Sequence, residues 1–318
     1  MVGERGKVVN KIPIVFAFDE GYALPGSVAI QSLMDAKIPS TEYEVIVLCS
    51  GIRNATKRKI ERIAPIKWIE IDGSFFDGWP SRWNTPTCYR LVMAEALKGY
   101  GKVIWSDCDV VFASDLSDLY NVDVSDWDWA AIPMENAEEK AGIHRHWNSH
   151  DTVFTPCCVV ADMAHWREKG FADVFKGIAG KFDKDLAMLD LDAMNLAGAR
   201  IKPLPLEYSV FIRLLTDGVD APEYPWLCRM FGEDALAHAV ENPKIIHFAG
   251  PQMKVWLRRP DEMPPSYRNA MLKSPLWDPV RTTGGVMAVV KAAFNTVMYF
   301  CCRKPHYRRC AGVYWRCR

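Results

Sequence analysis

The sequence predicts an α/β fold built on a mainly parallel central sheet with flanking helices. Two observations predict it. Short apolar runs alternate with helix-patterned segments through the first third of the chain. The runs are apolar nearly throughout, as in strands covered on both faces, instead of alternating with polar residues as half-exposed strands do. Strands alternating with helices imply βαβ units and right-handed crossovers, and ligands of such sheets sit beyond the strands' carboxyl ends.

Each element can be justified in order. Residues 12–18 (IPIVFAF) read as a buried strand, and 24–37 as a helix entered through Pro25-Gly26. A second strand covers 43–49 (YEVIVLC). Residues 54–63 form a helix with Asn54 as its cap, and 67–71 (KWIEI) a third strand. Pro86 opens a helix over 86–98, and 102–106 (KVIWS) is a fourth strand.

Composition narrows the function classes. The 318 residues are 49% hydrophobic and 25% charged, which excludes collagenous, coiled-coil and disordered chains. With 39 Lys+Arg against 39 Asp+Glu, a dedicated nucleic-acid binder is not expected, because neutralising phosphates needs a cationic surplus on one surface. The balance is uneven along the chain. Residues 281–318 carry eight cations and no acidic group, leaving 31 cations against 39 anions before them. Ten cysteines without an apolar leader at MVGERGKVVN suggest a reducing, cytoplasmic compartment. The apolar stretch 286–300 contains Lys291 and Asn295 and falls short of the roughly 20 residues that span a bilayer.

Chemistry-bearing residues gather where the strands end. Asp19 follows the first strand, and Asp107-Cys108-Asp109 follows the fourth. Two carboxylates in a D-x-D can share one hard divalent cation while leaving positions open for phosphate, although acidic pairs at strand ends equally cap turns. Asp190-Leu191-Asp192 opens a helix, which reads either as a second acidic pair for the site or as an acidic helix start. In residues 243–256 (PKIIHFAGPQMKVW) a short strand delivers His247, a nitrogen ligand suited to a carboxylate-held Mn²⁺. Gly250 there allows close backbone approach, and Lys254 supplies a cation for a diphosphate.

The ordered set VFAFDEGYA, CYRL, WSDCDVVF, LDLDAMN and IHFAGPQMKVW resembles the retaining glycosyltransferases of family 8, over about residues 12–256. That family includes bacterial lipopolysaccharide galactosyl- and glucosyltransferases and glycogenin. The resemblance implies a GT-A fold with a Rossmann-like sheet, a UDP-hexose donor (glucose or galactose), a divalent cofactor, Mn²⁺ or Mg²⁺, and a glycan or lipid-linked acceptor. By matching motifs, Ala17, Phe18, Asp19 and Tyr22 hold the nucleotide, with Cys108 inside the D-x-D segment. Asp107, Asp109 and His247 hold the metal, while Gly250 and Lys254 meet the diphosphate. Arg90 approaches the donor sugar and phosphate, Asp190 hydrogen-bonds sugar hydroxyls, and Asp192 takes either an acidic role near the anomeric carbon or a structural one. Two departures stand out. Leu191 occupies a place where many relatives carry Gln, and Phe154-Thr155-Pro156-Cys157 replaces the usual Phe-Asn-Ala-Gly. Their consequence is that a non-catalytic nucleotide-sugar-binding protein is the main alternative, ahead of a glycoside hydrolase.

The remaining conspicuous residues have plainer readings. Trp79 and Trp83 suit a sugar platform or a core equally. His144, His146 and His150 read as a solvated acceptor-side loop sooner than a zinc site, and tail cysteines lack C-x-x-C spacing. Strand-like alternation turns the Cys108 side chain away from the carboxylates flanking it. Domain organisation follows from composition: a transferase domain over 1–258, a Pro-rich extended linker over 259–285, and a basic, aromatic tail over 286–318. Cations and rings together suit the tail to an anionic membrane surface at the inner face of the membrane, with a disordered or RNA-contacting tail as the other readings.

Overall fold

The computed structural model describes residues 11–134, 152–186, 188–249 and 253–278, with the backbone of two short strands in the tail. Strand β1 (Ile12–Asp19) runs through a 3₁₀ turn (Glu20–Tyr22) into α1 (Ala23–Ala36). Then come β2 (Tyr43–Ser50), α2 (Asn54–Ile60) and β3 (Ile66–Glu70). A 3₁₀ segment (Pro86–Val92) and the single turn α3 (Met93–Ala96) lead into β4 (Lys102–Ser106). β5 (Val110–Phe112), α4 (Ser117–Tyr120) and β6 (Trp129–Met134) follow. β7 (Val153–Asp162), α5 (Met163–Lys169), α6 (Phe171–Phe182), α7 (Leu189–Leu196) and β8 (Ile201–Pro203) come next. β9 (Val210–Phe211), α8 (Ile212–Thr216), α9 (Tyr224–Phe231), α10 (Glu233–Glu241), β10 (Ile245–His247) and α11 (Pro265–Lys273) complete the body. In the tail, β11 (Arg308–Cys310) pairs antiparallel with β12 (Val313–Trp315).

The large sheet has the order β3-β2-β1-β4-β7-β6-β8 and is mostly parallel, with β7 running against both its neighbours. Strand order reverses between β1 and β4, so the carboxyl ends of these two strands flank the crevice where α/β sheets bind ligands. A second sheet, β5-β10-β9, stands beside it and carries the D-x-D exit and His247. Its register sets His247 opposite Val110, and Phe248 N donates to Asp109 O at 2.8 Å.

Alternation along β1 divides the core between the two faces of the sheet. Ile14, Phe16 and Phe18 pack with α1, β2 and α10 on one side, while Val15 faces the layer of α3, α5 and α6 on the other. Continuous apolar strands are therefore required, and the expected strands at 12–18, 43–49, 67–71 and 102–106 are all present within a residue at either end. A third, smaller cluster joins α11 to the β5-β10 region through Tyr267, Ala270, Met271, Phe248 and Trp256.

Three local expectations give way to tertiary contacts. Asn54 is the first helical residue of α2, not its cap; the α2 entry is held by Glu20, which accepts from Arg53 N at 3.1 Å and Thr56 Oγ1 at 2.8 Å. Residues 86–92 wind as a 3₁₀ helix in place of the first turns of the expected α-helix, and five consecutive side chains, Cys88 to Val92, are buried, so the segment is enclosed on all sides. The Pro-rich stretch 259–285 is not extended over 265–273. Pro265 opens α11 there, and burial of Tyr267 and Met271 on the body, with Ser274 Oγ 2.6 Å from Ser27 Oγ, outweighs the linker-like composition. Trp83 is core, with its Nε1 donating to Asp183 Oδ1 at 2.7 Å, and Trp79 packs on it.

Gly26 is where α1 comes closest to β1. A Cβ at this position would lie 2.6 Å from two ring carbons of Phe18, itself fully buried. Gly26→Ala is therefore expected to destabilise by about 1–3 kcal/mol, despite alanine's better helix propensity. Thermal unfolding followed by circular dichroism checks this, and an unchanged midpoint would contradict the packing argument.

Candidate active site

A cavity of about 750 Å³ opens at the β1/β4 switch point, within the range of small-molecule sites. One wall is the loop after β1. Ala17 lines the cavity, whereas the Phe18 ring is turned into the core against Gly26 and Trp68, so only its backbone reaches the ligand side. Asp19 caps the 3₁₀ turn, one oxygen accepting from Tyr22 N at 3.1 Å. Tyr22 stands over the opening, edge-on to Trp256 at 5.7 Å between ring centroids. Lys254 donates to Tyr22 Oη and lies over the rings of Tyr22 and Trp256 at 4.9 and 5.1 Å. Gly250 lies outside the described residues.

Asp107, Asp109 and His247 converge at the centre, each offering one ligand atom, all within 4.8 Å of one another. His247 Nε2 lies 3.5 Å from Asp109 Oδ1 and 4.0 Å from Asp107 Oδ2. Burial pushes the Asp109 carboxyl up, but the hydrogen bond and charge of His247, helped by Lys254, outweigh burial and hold it below the ordinary value. Burial also opposes a charged His247, yet Cys157 and Asp109 beside it keep its pKa well above the usual imidazole range. Two carboxylates and one imidazole are the hard oxygen and borderline nitrogen donors that suit Mn²⁺ or Mg²⁺, so the residues fit such an ion. Cys108, between the two aspartates, is turned inward, its Sγ donating to Ala17 O at 3.0 Å, and burial pushes its thiol pKa up. Its contribution to the cavity is through its place in the lining, not through a thiolate.

The opposite wall is organised by Arg90. Its guanidinium is buried and pairs with Asp107 Oδ1 at 2.6 Å and Asp190 Oδ2 at 2.9 Å. It also donates to Pro156 O and lies over the Trp105 ring at 4.8 Å. Burial raises Asp190 to about 6, Arg90 opposing the shift. Asp192 does not join it. Residues two apart on a helix face roughly 200° apart, and Asp192 turns onto the start of α7, accepting from Met188 N at 2.8 Å. Of the expected acidic pair, only Asp190 lines the cavity, with Leu191 beside it.

Several lining groups carried no motif. Phe211 of β9, Arg213 of α8, Glu223 just before α9 and Trp226 of α9 form a wall in which Arg213 pairs with Glu223 and Phe211 packs edge-on to Trp226 at 6.2 Å. Asn195 clamps the start of β7, accepting from Phe154 N at 2.8 Å and donating to Phe154 O at 2.9 Å. It closes the LDLDAMN segment, one helical turn after Leu191, whose O accepts from Asn195 Nδ2 at 2.8 Å. His144, His146 and His150 lie outside the described residues.

A mostly parallel α/β sheet with an Asp-x-Asp and a histidine at its switch point defines a glycosyltransferase of GT-A fold. The chain matches the family model described as glycosyl transferase family 8 over residues 13–259, and it belongs to that family. General stress protein A of Bacillus subtilis (strain 168) is 25% identical over 264 residues, which span 76% of this chain and 86% of that protein. Among solved structures, the galactosyltransferase LgtC, in complex with donor and acceptor sugar analogs, superposes with a TM-score of 0.68 at 19% identity, covering 84% of this chain and 98% of that one. The apo bifunctional glycosyltransferase WbbM gives 0.65 at 19% identity, over 87% of this chain and 52% of that one. At such identities the structural likeness speaks for the fold.

Two predictions follow from the Arg90 cluster. Arg90→Leu leaves Asp190 and Asp107 without their countercharge and should destabilise by about 3–5 kcal/mol in urea unfolding. Asp190 has its pKa raised, from 3.8 to about 6, so the native state retains a proton that the unfolded chain releases. Its contribution to stability is thus full below pH 3.8 and lost as pH rises to about 6. In metal-free protein, Asp190→Asn should remove that part of the slope of stability against pH between these values; an identical slope in the variant would refute the assignment.

Proposed function

We propose that the protein is a metal-dependent, retaining hexosyltransferase that moves glucose or galactose from a UDP-sugar to a hydroxyl of a glycan or lipid-linked acceptor in surface-polysaccharide synthesis. The observation that carries this reading is the meeting of Asp107, Asp109 and His247 in one cavity, between the Asp19–Tyr22 loop and the Arg90–Asp190 pair. Asp107, Asp109 and His247 would hold Mn²⁺ or Mg²⁺. Bound there, such an ion supplies Lewis-acid charge to a diphosphate. Lys254, beside Tyr22, adds a second positive charge for the departing UDP as the donor sugar becomes oxocarbenium-like. The Asp19 loop and the backbone at Ala17 and Phe18 serve the nucleotide.

Asp190 is held by Arg90 where its carboxylate can accept donor-sugar hydroxyls. Leu191 lines the cavity beside it and has no amide to act as nucleophile or dipole. Retention then proceeds by the front-face route, in which the acceptor hydroxyl attacks on the face that UDP leaves and the departing phosphate takes the proton. Trp226 and Phe211 offer ring faces, and Glu223 a carboxylate, for an acceptor sugar. We read residues 1–258 as the transferase domain and the basic, aromatic tail as a contact for an anionic inner-membrane surface. No described helix is long and apolar enough to cross a membrane.

UDP release from a panel of UDP-hexoses, with Mn²⁺ or with EDTA, tests the proposal. One donor turned over only with metal is the expected result. UDP binding without turnover of any donor, with or without sugar acceptors, would favour the binding-only alternative that Leu191 suggests. Free sugar released at the same rate with and without acceptor would favour a hydrolase. Asp109→Ala should abolish metal-dependent UDP binding in calorimetry, and unchanged binding would remove the Asp-x-Asp from the metal site.

A further inference from the structure

His247 is reached from two sides by a strand with no motif of its own. β9 contains Val210 and Phe211, paired in parallel with Ile246 and His247. Ser209 stands at the bend just before β9, and both it and Phe211 reach His247, while Val210 between them is fully buried. Phe211 stacks on the imidazole, 5.9 Å between centroids at 21°. Ser209 Oγ lies 3.3 Å from His247 Nδ1. Ser209 is itself 1% exposed, and the Cys157 Sγ donates to its Oγ at 3.1 Å. Cys157 stands at the fourth place of the 154–157 segment, where the sequence departs from the usual glycine of the family it resembles.

We propose that Ser209, backed by Cys157, is the positioning residue that presents His247 to the cation with the Nε2 lone pair free. The inference rests on the metal reading given above. A hydroxyl oxygen has two lone pairs, so Ser209 can accept from His247 Nδ1–H and from the Cys157 thiol together. A cation bound there would take the place of the Nε2 proton that faces Asp109, and with the other proton kept on Nδ1 by Ser209 the Nε2 lone pair is directed at the cation, as a nitrogen ligand's must be. The thiol fixes where Oγ lies, and Phe211 fixes the plane of the ring. No side chain of this relay other than His247 is expected to touch the cation.

Mn²⁺ binding to the full-length protein, read by the electron paramagnetic resonance of free Mn²⁺, tests the relay without reference to turnover. Ser209→Ala should weaken Mn²⁺ binding roughly 10–100-fold, the usual cost of losing the group that orients a metal-bound histidine. Cys157→Ala should weaken it by a smaller factor, and Cys157→Ser, which keeps a donor, should restore it. Ser209→Ala protein that unfolds earlier but binds Mn²⁺ as tightly as the wild type would reduce Ser209 to a packing residue and overturn the proposal. Should Ser209→Ala fail to fold, ¹⁵N-histidine spectra of Cd²⁺-loaded wild-type protein decide the matter: the proton is expected on Nδ1 of His247, and a proton on Nε2 overturns the proposal. Wild-type protein that binds neither Mn²⁺ nor Cd²⁺ would instead overturn the metal reading beneath it.

Discussion

One buried guanidinium holds the candidate site together. Arg90 ties the end of β4 through Asp107, the start of α7 through Asp190, and β7 through Pro156 O. A cation taken out of water needs countercharge and hydrogen bonds on several sides, and those partners come from elements far apart in the chain. The same contacts that satisfy Arg90 therefore locate a carboxylate of the D-x-D relative to Asp190 on the opposite wall of the cavity. The planar fork of arginine suits two carboxylates and a carbonyl at once, where a lysine would meet them as a point charge.

The 3₁₀ winding of residues 86–92 is part of the same arrangement. Arg90 Nε lies 3.2 Å from Thr87 O, and Cys88, Tyr89, Leu91 and Val92 are buried around it. A helix buried along one face only, α or 3₁₀, would have turned some of these side chains to solvent, so this segment is enclosed all round. Local propensity yields here to the need to bury both the charge and the apolar residues flanking it.

The meeting of Asp107, Asp109 and His247 depends on a second device, the small sheet. β5 leaves the D-x-D in antiparallel register with β10, so backbone pairing carries Asp109 to His247 across a large sequence separation. β9 then adds a parallel edge to β10, bringing Phe211 against the imidazole. Strands of two and three residues have little sequence signature, and their existence follows from the neighbours they pair with.

Four of the seven strands of the main sheet, β1 to β4, the position of the carboxylates at their ends, and His247 on a short strand were legible in the sequence, because apolar runs and strand-end polarity are local properties; β6, β7 and β8 emerged only from their pairing in the sheet. The family motifs were legible for the same reason. What only the tertiary structure decided was which of those residues share a space. Asp190 enters the cavity and Asp192 does not, since helical rotation separates them. Phe18 offers its backbone alone, and residues 265–273 are a packed helix despite a composition rich in proline. Arg213, Glu223, Trp226 and Ser209 acquire their roles from pairing and packing across long separations. A sequence records what each residue can do, whereas burial and register determine what it meets.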